Sequence, residues 1–506
     1  MISRILTTLA VLFSVGMLTV SVGHSESLSP SRSIDAGSND LSGLVTTVPT
    51  SASLSAGEVR RLARDAYVWA WPMVYVRNTY AALARVPSPG RSGGMPVAPP
   101  NELCMLTDYI APTATVPCPN QDVVYGFGIL DLAKEPVVVQ VPEFGDRFWV
   151  YQLGDQRTDG FAEVGKMYGT KPGAYLVVGP NWNGATPEGI AGVFRCPTRL
   201  GYIVPRVFMD DTAEDRSVVL PLVNQIAAYP LSRFNGAMKV QDWSKVRWLP
   251  RVGAMAKAGA KKVDPETFFD VLADVLDDVP PLAGEESAYA QYRELLALAG
   301  RNAAVKKLLV ETAVESETNV VAPLFEFRNF GTRLPHHWTT ISNGAAFGKD
   351  YLTRLAVAKS NVFVNRNSET KYFYQDLDAE GLRLDGRRGY RVTFAADELP
   401  PAKGFWSLTL YNEHHAFHAN ALNRFSVGTK NKQLKYNDDG SLTIYVGPEA
   451  PSAELQSNWL PSPTGSFSLY LRAYWPEERT VAGLWSPPAV HSDGATSGRM
   501  LATTAR

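Results

Sequence analysis

Two kinds of hydrophobic spacing divide the chain into helical and extended segments. From residue 58 to residue 80, apolar residues recur at helical intervals while charged residues avoid their face, which predicts an amphipathic helix. Pro72 lies inside this segment and is expected to kink or divide the helix. A second helix is predicted with Asp264 as its N-cap, and two more are predicted near residues 288–299 and 303–314.

Short apolar runs separated by Gly, Pro and Asp appear between residues 123 and 206 and again after residue 383. These runs predict β-strands, the clearest of which are residues 137–141, 148–151 and 175–178. Residues 467–475 alternate between apolar and polar or aromatic side chains, which predicts a strand with one buried face. Because a Phe-Trp pair and a Val-Gly-Pro end recur in both regions, we interpret them as two related β-sandwiches.

The first residues are typical of a secretory signal peptide, because Arg4 precedes the uncharged and mostly apolar stretch 5–23. Small residues at Ser21, Gly23 and Ser25 favour cleavage after Gly23 or Ser25, and the stretch is also long enough to remain as a membrane anchor. No second apolar run of about 18 residues follows in the sequence. We therefore expect a periplasmic or secreted protein that has no stable membrane span after signal cleavage.

Composition changes mark the remaining boundaries along the chain. The segment after the signal peptide is rich in Ser, Gly, Thr and Asp, a composition that favours a flexible leader. The predicted division is a signal peptide at 1–23, a leader at 24–57, an N-terminal β module with a leading helix at 58–235, a helical region at 236–360, a C-terminal β-sandwich module at 361–490 and a disordered tail at 491–506.

The charge balance bears on which ligands the chain can bind, and the cysteines bear on whether it contains a disulfide. The 49 Lys and Arg residues offset the 50 Asp and Glu residues, so no net positive field exists to hold a nucleic acid. In an oxidising compartment, Cys104 and Cys118 are close enough in sequence to form a disulfide, which leaves Cys196 unpaired. The alternative is three small buried hydrophobic residues.

Several sequence blocks, in order along the chain, resemble two families of domains of unknown function. The N-terminal blocks resemble family 1254 and comprise residues 119–125 (PNQDVVY), 130–132 (LDL), 136–138 (PVV), 146–148 (DRF) and 179–184 (GPNWNG). The C-terminal blocks resemble family 1214 and comprise residues 399–401 (LPP), 405–409 (FWSLT), 423–428 (NRFSVG), 439–442 (DGSL) and 458–461 (NWLP). Together the two resemblances cover most of the chain.

The resemblance implies an α+β fold that is mainly β. Two jelly-roll-like β-sandwich modules would accompany a helical N-terminal segment and a helical insertion. It also implies a bacterial envelope-associated or secreted protein, but it carries over no catalytic residue. The stretch 412–418 (NEHHAFH) departs from the family pattern because it is richer in histidine.

The histidine-rich stretch 412–418 is the clearest local candidate for metal binding. His414 and His418 would share one face of a helix, and Glu413 would add an oxygen ligand nearby. The histidines that a metal site would use are His414, His415 and His418. However, the stretch continues a predicted strand, in which His415 would face away from the other two. We therefore favour a solvated histidine-rich loop, with metal binding as the alternative.

Polar side chains beside aromatic residues in the β regions are the candidates for a ligand pocket. Amide, carboxylate and guanidinium groups of this kind suit a glycan-like or other small polar ligand, with Trp or Tyr as a stacking surface. The alternative is that they form turns and structural ion pairs. The candidates are Asn120, Asp122, Tyr125, Arg147, Asp155, Asn458, Trp459 and Arg472.

The motifs of several common enzyme classes are missing from the sequence. It has no nucleophile elbow, no phosphate-binding P-loop and no complete dinucleotide fingerprint, so we expect no cofactor. The sequence favours an exported envelope-associated protein that binds a small polar or glycan-like ligand. The alternative is an exported hydrolase or lyase that acts on a glycan, an ester or another small polar substrate. Open sheet edges favour a homo-oligomer.

Overall fold

The computed structural model describes residues 54–114, 116–251 and 262–493. The predicted signal peptide, nearly all of the leader and most of the tail lie outside these residues. The helices within the described ranges are α1 (Ala56–Leu83), α2 (Ala213–Val223), α3 (Phe268–Asp278), α4 (Glu286–Arg301), α5 (Ala303–Ser316), α6 (Tyr351–Ser360) and α7 (Glu478–Val481). None of them is long and apolar enough to cross a membrane.

The strands of the described residues belong to five sheets. The first eleven strands are β1 (Gly90–Ser92), β2 (Met95–Val97), β3 (Cys104–Met105), β4 (Val123–Asp131), β5 (Val137–Val141), β6 (Trp149–Asp155), β7 (Gly173–Val178), β8 (Ile190–Arg195), β9 (Leu200–Phe208), β10 (Ala227–Pro230) and β11 (Arg247–Trp248). The others are β12 (Thr332–Arg333), β13 (Thr339–Thr340), β14 (Thr370–Gln375), β15 (Tyr390–Phe394), β16 (Ala402–Asn412), β17 (Ser426–Gly428), β18 (Leu442–Gly447), β19 (Trp459–Pro461), β20 (Phe467–Pro476) and β21 (Val490–Ser492).

The fold is a mixture of helices and sheets, which confirms the predicted α+β class. The strands predicted at 137–141, 148–151 and 175–178 are β5, β6 and β7. The helices predicted near 288–299 and 303–314 are α4 and α5. The sequence pattern was therefore sufficient to find these elements and their type.

Two predictions about the helices are wrong in detail. The helix α1 runs through Pro72 without being divided, and helices α3 to α6 and strand β4 pack around it. The helix predicted to start after Asp264 begins only at Phe268. Asp264 does accept a hydrogen bond from the Glu266 backbone N–H, at 3.2 Å, so it closes a turn before the helix rather than capping it.

Ser55 and Glu58 fix the start of α1. The Ser55 hydroxyl accepts from the Glu58 N–H at 3.3 Å, and the Glu58 carboxylate accepts from the Ser55 N–H at 2.8 Å, which is a capping box. Most of the helix beyond its first turn is buried among the other helices and the N-terminal sheets. It therefore places its central residues in the interior of the molecule.

The two β regions are each built from two main sheets. In the N-terminal region, the sheet β3-β4-β9-β6 and the sheet β10-β5-β7-β8 contribute to one hydrophobic core with α1. In the C-terminal region, the six-stranded sheet β12-β13-β14-β20-β16-β17 packs on the sheet β19-β18-β15-β21 over a separate core. A small three-stranded sheet, β11-β1-β2, completes the set among the described residues.

The strand predicted with one buried face is β20, and that prediction is wrong. Leu469 and Leu471 lie in the C-terminal core, but Tyr470, Arg472 and Tyr474 on the opposite face are buried as well. The reason is that the second face of the six-stranded sheet packs against the N-terminal region and not against solvent. The interface between the two β regions is consequently lined by tyrosine and arginine side chains.

Candidate functional site

The turn that enters β4 carries two of the candidate residues, and both bridge the two β regions. Asn120 is fully buried, donates from its side-chain amide to the Tyr474 hydroxyl, and accepts from the Asp122 N–H at 2.5 Å. The Asp122 carboxylate accepts from the hydroxyls of Ser407 at 2.6 Å and Ser426 at 2.9 Å. These contacts satisfy both side chains and make them structural.

Tyr125 follows on β4 and lies directly opposite Arg206 of β9 in the strand register. The Arg206 guanidinium lies 5.6 Å from the Tyr125 ring centre and donates to the side-chain oxygen of Asn365 at 2.5 Å and to the Phe363 carbonyl at 3.3 Å. Arg206 is 5% exposed. Its cation is therefore buried among neutral acceptors and an aromatic ring.

Arg472 of β20 repeats this arrangement from the C-terminal sheet, opposite Tyr372 of β14. It donates to the Thr409 hydroxyl at 2.9 Å, the Cys118 carbonyl at 3.0 Å and the Tyr411 hydroxyl at 2.9 Å. Its guanidinium lies 3.8 Å from the Tyr470 ring centre, and the residue is 3% exposed. We refer to Tyr125, Arg206, Tyr372 and Arg472 together as the interior arginine site.

The electrostatics of this site are unusual for a protein interior. Within the described part of the chain, neither Arg206 nor Arg472 has a carboxylate oxygen within 4.0 Å. Burying an unpaired charge costs several kcal/mol, because the protein replaces only part of its hydration. Burial raises the pKa of Tyr125 even though both arginines act in the opposite direction, so the phenol remains a neutral donor.

An aromatic wall, formed by Phe127, Phe363 and Tyr75, connects this site with α1. The Phe363 ring centre lies 6.0 Å from that of Phe127 and 5.9 Å from that of Tyr75. Phe127, Phe363 and Tyr125 stay partly accessible, although sheets and helices surround them. A basic end and an apolar wall together suit a small anion that has an apolar or aromatic portion.

Two of the eight ligand-pocket candidates, Tyr125 and Arg472, belong to this site, whereas Asn120 and Asp122 make structural contacts in the turn before β4. Arg147 does not belong to the site either, because it forms a two-point ion pair with Asp215, at 2.8 and 2.5 Å. The ion-pair partner of Arg147 is thus Asp215 and not the other candidate carboxylate, Asp155. Asp155 instead accepts from the Asp159 N–H at 3.0 Å, and burial together with the Asp159 charge raises its pKa to about 7.

The last two candidates have structural contacts in the C-terminal sheet. The Asn458 amide donates to the carbonyls of Lys435 at 2.7 Å and Thr443 at 2.9 Å. The Trp459 indole N–H donates to the Gly447 carbonyl at 3.0 Å. Both side chains therefore join backbone segments and line no part of the interior arginine site.

The histidines do not come together. His415 is buried between Phe325 and Phe327, with ring centres 4.0 and 4.2 Å away, and burial lowers its pKa to about 4. His414 is exposed beside Glu413, and His418 is partly exposed. In the described ranges no group of three His, Cys, Asp or Glu side chains could hold a metal ion. The alternative of a metal site at His414, His415 and His418 is therefore not formed.

The predicted disulfide between Cys104 and Cys118 is wrong. Both residues are free and buried, as is Cys196. The Cys104 thiol lies 3.6 Å from the Met105 carbonyl within the N-terminal sheet, whereas the Cys118 thiol donates to the Ser360 carbonyl at the end of α6. The two thiols thus belong to different packing environments, and the alternative of small buried residues is the one observed.

Sequence reasoning missed Arg206 and Tyr372. A signal was present for Arg206, since it is a lone cation in an otherwise apolar strand run, residues 200–208. Such a cation must find a partner in the interior. Nothing in the sequence around Tyr372 distinguishes it from an ordinary core tyrosine.

Two family models match the chain, one over each of the two β regions. The model of the family described as protein of unknown function DUF1254 matches residues 100–230, and that of the family described as protein of unknown function DUF1214 matches residues 369–478. The two family models thus match the chain in the N-terminal to C-terminal order that the sequence predicted.

Solved structures and curated proteins add the following comparisons. The VPA0106 protein from Vibrio parahaemolyticus is similar with a TM-score of 0.58 and 23% identity, over 86% of this chain and 100% of that chain. An uncharacterized protein from Burkholderia cenocepacia has a TM-score of 0.40 and 11% identity, over 87% of this chain and 94% of that chain. No curated protein matches the chain. The first likeness supports a shared fold.

Proposed function

We propose that the protein is exported and binds a small polar ligand with a negative charge in the interior arginine site. The observation that carries this proposal is that the buried guanidinium groups of Arg206 and Arg472 donate hydrogen bonds only to neutral acceptors among the described residues. A carboxylate, sulfate or phosphate group would supply the missing counter-charge through charge-assisted hydrogen bonds. Tyr125 would donate a further hydrogen bond, and the aromatic wall would contact the rest of the ligand.

The ligand classes can be separated with charged and neutral analogues of the same shape. Thermal unfolding of the purified protein would be followed with benzoate against benzamide and with galacturonate against galactose, at about 10 mM each. A ligand that binds only the folded state raises the unfolding temperature. We expect at least one anion to do so and its neutral analogue to have no effect. Equal shifts for both members of each pair, or no shift with either anion, would contradict the proposal.

Two variants test whether the anion binds in the interior arginine site. Arg206→Gln should abolish the shift with the anion, because it removes one of the two unpaired cations. Arg147→Gln is the matched control, since it removes a partly buried arginine whose partner is Asp215 and which lies outside the site. We expect this control to lower stability but to retain the anion effect.

Export is a separate part of the proposal and rests on the sequence. Expression in a bacterial host, cell fractionation and intact-mass analysis would test it. The proposal requires a periplasmic or secreted product that begins after Gly23 or Ser25. A full-length product in the cytoplasm would contradict it, and a full-length product in the membrane fraction would support the retained anchor.

One observation favours the second candidate, an exported hydrolase or lyase. Glu369 is buried within electrostatic range of Arg206, and burial raises its pKa to about 7, which suits a general acid or base. Its carboxylate accepts from the Tyr168 hydroxyl at 3.0 Å and from the Arg366 N–H at 3.1 Å. Consumption of a bound anion, lost in Glu369→Gln while binding persists, would establish an enzyme. Binding without consumption supports the first candidate.

A further inference from the structure

A lysine at the far end of the aromatic wall has surroundings that the binding proposal does not use. Lys262 is half-buried and its backbone is fixed, because its carbonyl accepts from the Asn78 side chain of α1 at 3.1 Å and the next residue, Val263, is buried. Its amine lies 3.4 Å from the Tyr75 hydroxyl and 5.0 Å from the centre of that ring. Tyr75 belongs to the aromatic wall, so this amine lies at the Tyr75 end of that wall.

The charges around Lys262 are those of a second lysine and not of an acid. No carboxylate oxygen lies within 4.0 Å of its amine in the part of the chain that the structure describes. Lys359 is close enough to repel it, and burial and this charge lower the pKa of Lys262 to about 8, while the Cys118 thiol acts weakly in the opposite direction. A lysine desolvated beside another cation is a recognised form of activated nucleophile.

Lys359 itself is held as a fixed, paired cation. Its amine donates to one oxygen of Glu317 at 2.8 Å. The other oxygen of Glu317 accepts from the Tyr67 hydroxyl at 2.8 Å and from the Trp71 indole at 3.1 Å. Glu317 begins a π-helical turn, Glu317–Val321, after α5, and such turns occur frequently at functional sites. Glu317 therefore offsets part of the Lys359 charge, but Lys359 still acts on Lys262, and Lys262 has no ion pair of its own among the described residues.

We propose that Lys262 is a nucleophile that forms an imine with a small aldehyde or ketone. The neutral amine attacks the carbonyl carbon and forms a C–N bond, while the carbonyl oxygen becomes a hydroxyl group. That oxygen then leaves as water with the two protons that the nitrogen loses, and the nitrogen lone pair completes the C=N bond. One amine and one carbonyl thus give one imine and one water, and no oxidant is required.

Tyr75 is placed to assist this step. Burial raises the pKa of its hydroxyl, so the group stays protonated and can donate to the carbonyl oxygen. The carbonyl group of Phe363 binds Arg206, and the Phe363 ring is the neighbour of Tyr75 in the aromatic wall. The positive charges of Arg206 and Lys359 would favour an oxo acid over a neutral carbonyl compound along this wall, and this refinement of the substrate class rests on the proposed function.

Reductive trapping tests the proposal on the whole purified protein. Acetaldehyde or glyoxylate would be added with cyanoborohydride at about pH 7, and peptide mass spectrometry would measure the label on each lysine over time. Fragment spectra must assign the label to Lys262 and not to Lys261. We expect Lys262 to react about tenfold faster than Lys307, an exposed lysine on α5, because more of its amine is neutral.

Lys371 is the control for accessibility. Burial also lowers its pKa to about 8, but it is only 4% exposed and donates to the Ile341 carbonyl at 2.8 Å. We expect it to stay unlabelled in the folded protein. Labelling of Lys262 no faster than of Lys307 would overturn the proposal, and so would labelling of Lys261 in its place. Tyr75→Phe should slow the trapping at Lys262 without unfolding the protein.

The two probes distinguish this inference from the binding proposal. Faster trapping by glyoxylate than by acetaldehyde, with the difference lost in Arg206→Gln, would support both. Preferential trapping at Lys262 that is equally fast with both probes would support the imine and argue against an anion site near it. Anion binding without preferential trapping at Lys262 would support the binding proposal alone and overturn the imine.

Discussion

Asp122 and Lys430 form an ion pair with 3.4 Å between carboxylate and amine, and each side chain is 1% exposed. The pair joins the turn before β4 to the segment after β17, so it connects the two β regions. Ser407 and Ser426 donate to the same carboxylate. The contact is therefore a buried ion pair between the two β regions. Asp122 was a ligand candidate in the sequence, and in the structure it has a structural role.

Breaking this ion pair should lower the free energy of unfolding. Asp122→Asn leaves the Lys430 amine buried without its counter-charge, and we expect the free energy of unfolding to fall by about 3–5 kcal/mol. Adding Lys430→Met to this variant should recover part of the loss, because it removes the unpaired charge. Urea unfolding of the single and double variants measures both effects. A loss below about 1 kcal/mol in Asp122→Asn would show that the pair contributes little.

Two tyrosines of the interface should respond differently to loss of their hydroxyl groups. The Tyr411 hydroxyl donates to the Pro119 carbonyl and accepts from Arg472, so Tyr411→Phe should lower stability by about 1–3 kcal/mol. The Tyr125 hydroxyl has no hydrogen-bond partner among the described residues, and Tyr125→Phe should change stability by less than about 0.5 kcal/mol. Chemical unfolding of both variants gives the comparison. Equal losses would indicate that Tyr125 has a structural bond and is not available to a ligand.

His415 should make the protein less stable in acid. Its folded pKa of about 4 lies below the ordinary value of 6.5, so its contribution is present above pH 6.5 and is lost as the pH falls towards 4. The full effect is about 3 kcal/mol, because the unfolded chain takes up the proton first.

His415→Asn is the matched variant, since His415 has a φ of 53° and Asn tolerates this backbone conformation. Its stability should be lower than that of the natural protein at pH 7, where the stacking on Phe325 and Phe327 is lost. The difference should shrink between pH 6.5 and pH 4.5. A constant difference over this range would contradict the assignment of a neutral, buried imidazole.

The cysteines should behave as three free thiols. Thiol titration of the unfolded protein should give three groups per chain, and the folded protein should react slowly because all three are buried. Added reductant should leave the unfolding temperature unchanged. Detection of a disulfide-linked peptide that contains Cys104 and Cys118 would contradict the structure.

The sequence was most informative where local pattern determines structure. The apolar runs of β5 and β7 and the spacing of α4 and α5 identified those elements correctly, because each depends on neighbours in the chain. The sequence pattern did not predict that the second face of β20 is buried, because this burial depends on packing against another part of the molecule. Pro72 is a similar case, since α1 runs through it without being divided and other helices pack around α1.

For the candidate site, too, the sequence identified single residues but not the contacts between distant segments. The turn motif pointed to Asn120, Asp122 and Tyr125, and these residues do lie at the interface between the β regions. The pairing of Tyr125 with Arg206 and of Tyr372 with Arg472 depends on strand register, which single-sequence patterns do not contain. Lys262, Tyr75 and Lys359 are likewise far apart in sequence, so only the fold brings them together.

The central claim is that the interior arginine site takes an anion, and anomalous diffraction from crystals soaked in bromide measures this directly. We expect a bromide peak within about 3.5 Å of the guanidinium groups of Arg206 or Arg472, displaced when benzoate is added. Bromide bound only at exposed lysines and arginines, with no peak between the two β regions, would contradict the claim.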